Sequence, residues 1–226
     1  MPAHPPASGE TRIAASTLVR PAFGALIAGG ASRRFGAPKA LASVAAVPMA
    51  HRACAALRAA AGEVVVIAGD AEPFARMGLR VRGDRVRGAG PLAGIHAALL
   101  WAREEGRPGA LCLACDMPFV PGPLLSRILQ IAIESGASAV VPESGGRTGF
   151  EPLCAYYAAG AMEAAADLLH SGERRAASLA ERLGAARVPI GEVRTFGDPA
   201  TLFHNVNTPH EHAEAERIAA LVEGAR

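Results

Sequence analysis

Short apolar runs alternate with longer segments of helical periodicity along the first two thirds of the chain. Residues 22–29, 63–69 and 109–116 are almost continuously apolar and bounded by glycine or a charged residue, which is typical of strands buried on both faces. Residues 49–61, 91–105 and 121–135 carry apolar positions three and four apart, which predicts helices. This alternation predicts a parallel sheet covered by helices on both sides, with ligands at the carboxyl ends of its strands.

The last third of the chain has a looser pattern. Strand-like stretches and helix-like stretches still alternate there: strands at 137–142, 151–157 and 186–190, helices at 158–172 and 174–184. Thr208, Pro209 and Glu211 form the pattern of a capping box, so a last helix is expected to begin at Pro209. No repeat or linker divides the chain, and we expect a flexible extension at residues 1–21 followed by one domain at residues 22–226.

Composition narrows the function classes. Half of the 226 residues are apolar and the net charge is only +2, which gives no reason to expect a nucleic-acid or membrane partner. No run of 18 uncharged apolar residues predicts a membrane span. The four cysteines lie in apolar stretches, and no second cysteine or histidine pair completes a zinc site with Cys112 and Cys115. These features predict a cytoplasmic protein with reduced cysteines.

The first apolar run ends in a glycine-rich loop, "GGASRRFGAPK", that carries Arg34 and Lys39. Glycines allow a sharp turn that directs main-chain amides at an anion, and the two cations add fixed positive charge. The loop matches neither the Walker phosphate loop nor the three-glycine dinucleotide pattern, although Asp70 supplies the acidic residue that a dinucleotide site would need. A phosphate-binding loop is therefore favoured over a turn whose arginines are merely solvated.

Asp116 directly follows the apolar run at 109–115, and Pro118 prevents that strand from continuing. A carboxylate at the end of a buried strand suits Mg²⁺, which takes one or two protein carboxylates and completes its shell with water and phosphate oxygens. The alternative is a cap for the helix near Pro121, for which Asp116 lies too far upstream. The pattern favours a metal ligand.

A second glycine-rich loop begins at Asp84 and enters a helix through "GPLAGI". Small residues at a helix start allow another group to approach the main chain, so this loop is a candidate for contact with a flat base. An ordinary strand-to-helix connection explains the same residues, and the loop alone does not decide between the two.

The order of these motifs resembles one family. "LIAGGASRRFGAPKAL", "GAGPLAGIHAAL", "ACDMPFV", "SGERR" and "FHNVNTPHEH" are together similar to the molybdenum cofactor guanylyltransferases, within the wider nucleotidyltransferases. The resemblance implies a single Rossmann-like three-layer α/β domain with a mostly parallel central sheet, of the nucleotide-diphospho-sugar transferase type. It also implies transfer of GMP from GTP to molybdopterin with Mg²⁺ as cofactor, and transient contact with a molybdoenzyme or a delivery chaperone.

The resemblance assigns roles by position. It makes Arg34, Lys39 and Asp116 catalytic, with Asp116 as the metal ligand. Most of the remaining expected ligand-binding residues lie in the same motifs: Ile27, Ala28, Gly29, Gly30, Gly90, Pro91, Leu92, Arg174, Asn205 and Asn207. Gly69 and Asp84 are also expected to bind ligand, although the spacing of Asp84 from "GPLAG" varies within the family.

The acceptor end of the site rests on "SGERR" and "NVNTP". Arginine can clamp a phosphate or stack on a flat ring, while Asn205 and Asn207 offer amide donors and acceptors. A solvated helix start explains Arg174 almost as well. Related cytidylyltransferases typically have aspartates where this chain has the two asparagines. A cytidylyltransferase, another small-molecule nucleotidyltransferase and a non-catalytic protein that delivers the finished cofactor remain alternatives.

Overall fold

The computed structural model describes residues 21–29, 42–76, 78–83 and 90–224. In chain order its strands are β1 (Phe23–Ile27), β2 (Ser43–Val44), β3 (Val47–Pro48), β4 (Val64–Ala68), β5 (Val81–Gly83), β6 (Gly109–Ala114), β7 (Ala139–Pro142), β8 (Cys154–Ala158) and β9 (Ala186–Val188). Its helices are α1 (Met49–Ala61), α2 (Glu72–Ala75), α3 (Gly90–Glu104), α4 (Gly122–Ser135), α5 (Met162–His170), α6 (Ala176–Arg182), α7 (Ile190–Val193), α8 (Pro199–Leu202) and α9 (Pro209–Gly224).

Seven strands form one mixed sheet in the order β5-β4-β1-β6-β8-β7-β9. The pairs β4–β5, β1–β4, β1–β6 and β7–β9 are parallel, whereas β8 runs antiparallel to both β6 and β7. The predicted mostly parallel α/β architecture is therefore confirmed. The reversed strand β8 matters for the site because it begins at the edge of the sheet where β6 and β7 end.

Helices cover both faces of the sheet. Alternate residues of β1 show why this strand is apolar throughout: Leu26 packs on the side of α1 and α4, while Phe23, Ala25 and Ile27 pack on the side of α3, α5 and α6. All five residues of β1, all of β4 and all of β6 are buried. The continuous apolar runs in the sequence are the direct consequence. None of the helices in the described part of the chain is long and apolar enough to cross a bilayer.

A small hairpin formed by β2 and β3 lies outside the main sheet. Its two turn residues, Ala45 and Ala46, have φ angles of 46° and 61°. Hairpins of this length favour left-handed turn residues, but asparagine and glycine usually occupy them, because other side chains cost about 1–2 kcal/mol per residue there. The sequence pattern does not predict this hairpin. Contacts from outside the hairpin must stabilise the left-handed conformation of its two alanines.

The start of the last helix is as predicted. Helix α9 begins at Pro209, and Thr208 Oγ accepts a hydrogen bond from Glu211 N at 3.2 Å. The Glu211 carboxylate in turn accepts one from Asn207 N at 2.6 Å. Burial would raise the pKa of Glu211, but the main-chain bonds from Asn207 and Thr208, with the Thr208 hydroxyl, outweigh it and lower the pKa.

Candidate active site

The carboxyl ends of three neighbouring parallel strands meet at one edge of the sheet. Ala28 N donates to Ile67 O at 2.9 Å, which joins the ends of β1 and β4. Cys115 N donates to Ile27 O at 3.1 Å, which joins the ends of β6 and β1. Because these bonds lie at the strand ends, Ala28, Gly69 and Asp116 come out at the same edge, where α/β proteins bind ligands.

The residues at this edge differ in how far they are exposed. Ile27 is buried and its carbonyl accepts a hydrogen bond from Cys115 N, so it supports the edge but exposes no group to a ligand. Gly29 and Gly69 are exposed, and the space where a Cβ of Gly69 would project is open. As far as residues 21–29 and 64–69 are concerned, this edge therefore presents glycine main chain, which a nucleotide can approach closely.

Four predicted site residues lie outside the described residues: Gly30, Arg34, Lys39 and Asp84. Their assignment stays a prediction from the sequence.

The start of α3 lies against the "SGERR" segment. Gly90 has a φ of +76°, and a Cβ on it would lie 3.0 Å from Arg174 O. Leu92 N donates to the same carbonyl at 3.2 Å, and the Leu92 side chain is fully buried. The structure thus brings together residues that the sequence predicts to contact different substrates. Gly90 and Leu92 are predicted to contact the base of the nucleotide, and Arg174 is predicted to contact the acceptor. Pro91 between them is exposed at the helix start.

The "SGERR" residues are bonded mainly to one another and to helix ends. The guanidinium of Arg174 donates to Leu169 O at 3.0 Å and to Glu173 O at 2.9 Å, at the end of α5. The Glu173 carboxylate accepts from Arg175 N at 3.0 Å and from Ser178 Oγ at 2.6 Å. Hydrogen bonds from the Arg175 side chain, Ser178 and the main chain hold the pKa of Glu173 far below its usual range.

Asp116 is connected to the other half of the site through Val206, whose N–H donates to Asp116 O at 3.0 Å. Val206 stands between Asn205 and Asn207, so this bond places the asparagine segment beside the end of β6. Asn205 is half-buried, and its side-chain amide donates to Phe203 O at 3.3 Å. Asn207 is exposed at the start of α9.

An open cleft of about 630 Å³ lies beside Asn205. It runs between the loop that joins β7 to β8 and the helices α7 and α8. Charged and polar residues line it: Glu143, Ser144, Glu151, Arg194, Asp198 and Asn205. Three glycines of the loop, at 145, 146 and 149, also face it and leave room for a flat ligand.

Glu151 connects this cleft with Asp116. Its Oε1 is near enough to Gly146 that a Cβ there would lie 3.2 Å from it. Burial raises the pKa of the Glu151 carboxyl, the Ser144 hydroxyl opposes the rise, and the charge of Asp116 adds to it. A carboxyl group that is disfavoured in its charged form and lines a cleft is a candidate functional residue.

The sequence pattern predicts neither the cleft nor a role for Glu151. It predicts a strand over residues 151–157, which is wrong at its start: β8 begins at Cys154, so Glu151 lies in the connection before it. The glycine-rich "SGGRTG" between two strand-like segments is the signal in the sequence that points to this loop.

The residues present fit a magnesium ion. Asp116 supplies a carboxylate at the strand edge, directly after the strand that pairs with β1. Among the described residues no three His, Cys, Asp or Glu side chains form a metal cluster by themselves. A single carboxylate with substrate phosphates is a donor set that Mg²⁺ accepts in phosphoryl-transfer sites.

The sequence and the fold of this chain are similar to those of known nucleotidyltransferases. Residues 24–187 match the family model of a MobA-like NTP transferase domain. The chain is 36% identical over 200 residues to a probable molybdenum cofactor guanylyltransferase of Pelotomaculum thermopropionicum, covering 88% of this chain and 93% of that one. It is also 36% identical to the molybdenum cofactor guanylyltransferase of Cereibacter sphaeroides, over 87% and 96% of the two chains.

Among solved structures, the fold is similar to that of molybdopterin-guanine dinucleotide biosynthesis protein A from Archaeoglobus fulgidus. The TM-score is 0.72 at 26% identity, and the match covers 87% of this chain and 98% of that one.

The contacts of Arg174 lead to a first prediction. Its guanidinium bonds main-chain carbonyls at the end of α5, so Arg174→Ala should lower the free energy of unfolding by about 1 kcal/mol. The KM for the acceptor should stay within about twofold, since the guanidinium is already bonded to main-chain carbonyls. Urea denaturation and steady-state kinetics measure the two effects. Arg182→Ala, which breaks an exposed pair with Asp167, is the control. Unchanged stability with a strongly raised acceptor KM would instead support a phosphate clamp.

Proposed function

Because the chain belongs to the molybdenum cofactor guanylyltransferase family, with its MobA-like NTP transferase domain, we propose that it transfers GMP from GTP to molybdopterin. The observation that carries the proposal is the position of Asp116, at the ends of the central parallel strands on one side and beside the cleft on the other. A nucleotidyltransferase needs its donor and its acceptor to meet at one point.

The reaction is an in-line displacement at phosphorus. A terminal phosphate oxygen of molybdopterin attacks the α-phosphorus of GTP, a new phosphorus–oxygen bond forms, and the bond to the bridging oxygen of pyrophosphate breaks. The attacking phosphate is already ionised near neutral pH, so the site needs no general base to remove a proton. The task of the protein is to orient the two phosphates and to balance the charge that grows on pyrophosphate.

The donor is proposed to lie along the edge formed by the ends of β4, β1 and β6. Main-chain amides after β1, with Arg34 and Lys39 of the following loop, would hold the departing pyrophosphate. Mg²⁺ held by Asp116 would supply positive charge to the phosphate oxygens when it is bound. The guanine would be selected near the start of α3, where its two adjacent donors require main-chain acceptors.

The acceptor is proposed to enter the cleft beside Asn205. Its glycine loop accommodates a flat ring, and the Glu143 and Glu151 carboxylates are acceptors for the ring N–H and amino groups of a pterin. Glu151 and Asn205 are the lining residues for which the structure gives a connection to Asp116, through charge in one case and through Val206 in the other. The cytoplasm, where GTP is abundant, is the proposed location.

The test of the function is nucleotide choice. The protein is incubated with Mg²⁺, molybdopterin and each of the four nucleoside triphosphates in turn, and pyrophosphate release is followed. GTP should be used well and ATP and CTP on the order of a thousandfold less, because the wrong base leaves buried polar groups unpaired. Equal use of CTP would contradict a guanylyltransferase and favour the cytidylyltransferase alternative. Binding of the finished cofactor without pyrophosphate release would favour a delivery protein.

Asp116→Asn tests the proposed metal ligand. The neutral amide keeps the size of the side chain, so the thermal unfolding curve should hardly change. Turnover should fall about a hundredfold or more, because the amide cannot offset the charge of Mg²⁺. Titration of activity with MgCl₂ and chelation with EDTA measure the metal dependence directly. Activity within a few-fold of wild type would refute the assignment.

Asn205→Ala tests the acceptor cleft. Loss of one neutral hydrogen bond, about 1 kcal/mol, should raise the KM for molybdopterin about fivefold and leave the KM for GTP unchanged. Gln130→Ala, which removes an exposed amide from α4, is the matched control and should change neither constant. An increase confined to the KM for GTP would place Asn205 on the donor side.

A further inference from the structure

The β2–β3 hairpin follows directly after the loop that carries Arg34 and Lys39. Its turn residues, Ala45 and Ala46, both adopt the left-handed conformation that alanine avoids. Residues keep such a conformation only where their surroundings impose it, and such positions cluster at functional sites. The contacts that impose this conformation on Ala45 and Ala46 are therefore relevant to the active site.

Helix α9 holds the hairpin through two polar contacts. Ala45 N donates to the Glu216 carboxylate, 3.2 Å from one oxygen and 3.1 Å from the other. The Nε2 atom of His212, one turn earlier on the same face, donates to Ser43 O at 2.7 Å. The turn is thus bonded on its strained residue and on the strand before it, from a helix about 170 residues further along the chain.

Apolar contacts complete the attachment. Val44 of the hairpin and Met49 at the start of α1 are fully buried against Ala215 and Ala219 of α9. Met49 N also donates to Ala42 O at 2.9 Å, which closes the base of the hairpin. The chain is therefore held in place from Ala42 onward.

The same helix is connected to Asp116. Val206, two residues before the cap Thr208, belongs to the cluster that contains Val44, and its N–H bonds the Asp116 carbonyl at 3.0 Å. One short stretch of chain therefore contacts both the hairpin that ends the loop and the strand end that bears the metal-binding carboxylate.

We propose that Glu216 is a positioning residue that holds the strained Ala45–Ala46 turn and so sets the end of the loop carrying Arg34 and Lys39 relative to Asp116. This inference rests on the proposed function for the role of those two cations. Glu216 itself would touch no substrate. Its effect would reach the reaction through the place where the loop ends.

The test compares Glu216→Ala, Glu216→Gln and a control on the same helix. Glu214 is the control, because its carboxylate is as exposed as that of Glu216, at 44%, and forms an ion pair with the surface residue Arg217 of its own helix. Glu216→Ala should raise the Kd and the KM for GTP about tenfold, with the KM for molybdopterin unchanged. Glu216→Gln keeps one oxygen acceptor for Ala45 N and should show about a twofold effect. Glu214→Ala should match wild type.

A second substitution separates positioning from general stability. Glycine adopts the left-handed turn freely, so Ala46→Gly in the Glu216→Ala background should restore the affinity for GTP to within about threefold of wild type. A purely structural role would lower the melting temperature and the active fraction while the Kd for GTP stayed constant. Unchanged Kd in Glu216→Ala, or equal increases for both substrates, would overturn the proposal. If Glu216→Ala does not fold, the Kd of Glu216→Gln decides.

Binding is measured by calorimetry with all four nucleoside triphosphates, separately from transfer. A wild-type protein that binds another triphosphate contradicts the proposed function, while the effect of Glu216 is still read with the nucleotide that binds.

Discussion

The parallel pairing of β1 with β4 and with β6 is the constraint on which the site depends. In a parallel ladder the carboxyl ends of neighbouring strands face the same way, and here two main-chain bonds, Ala28 N to Ile67 O and Cys115 N to Ile27 O, align those ends. A shift of one residue in either pair would move each side chain of the shifted strand to the opposite face of the sheet, where it would meet a different set of helices. Packing of the core therefore fixes the place where the glycine-rich loop leaves β1 and Asp116 follows β6.

The elements predicted best from sequence were those with a long apolar pattern. β1, β4 and β6 are buried throughout and read as continuous apolar runs, whereas α1 is buried on one face and shows helical spacing. Thr208 and Glu211 mark the start of α9 by local chemistry. The β2–β3 hairpin escaped prediction because two-residue strands have no period to recognise. Its alanine turn is also held by Glu216, a residue too distant in sequence for any local pattern to indicate.

The candidate site also contains residues that the sequence predicts and residues that only the fold reveals. The position of Asp116 after an apolar run ending before proline was visible in the sequence, because the strand end determines it. The contacts of Arg174 were not visible: arginine suits a phosphate clamp and a helix end equally well, and only the fold directs it to Leu169 O and Glu173 O. Glu151 reaches the cleft only because the chain reverses direction before β8, a tertiary event that composition does not record.

That reversal explains why the proposed donor and acceptor surfaces share one edge. An antiparallel strand enters the sheet at the edge where its parallel neighbours leave it, and Cys154 at the start of β8 lies opposite Leu113 near the end of β6. The connection before β8, with Ser144 and Glu151, must then lie at the carboxyl edge beside Asp116. Had β8 been parallel, the residues just before it, Glu151 among them, would have lain at the opposite edge of the sheet. One reversed strand therefore places the proposed acceptor cleft at the same edge of the sheet as the proposed nucleotide site.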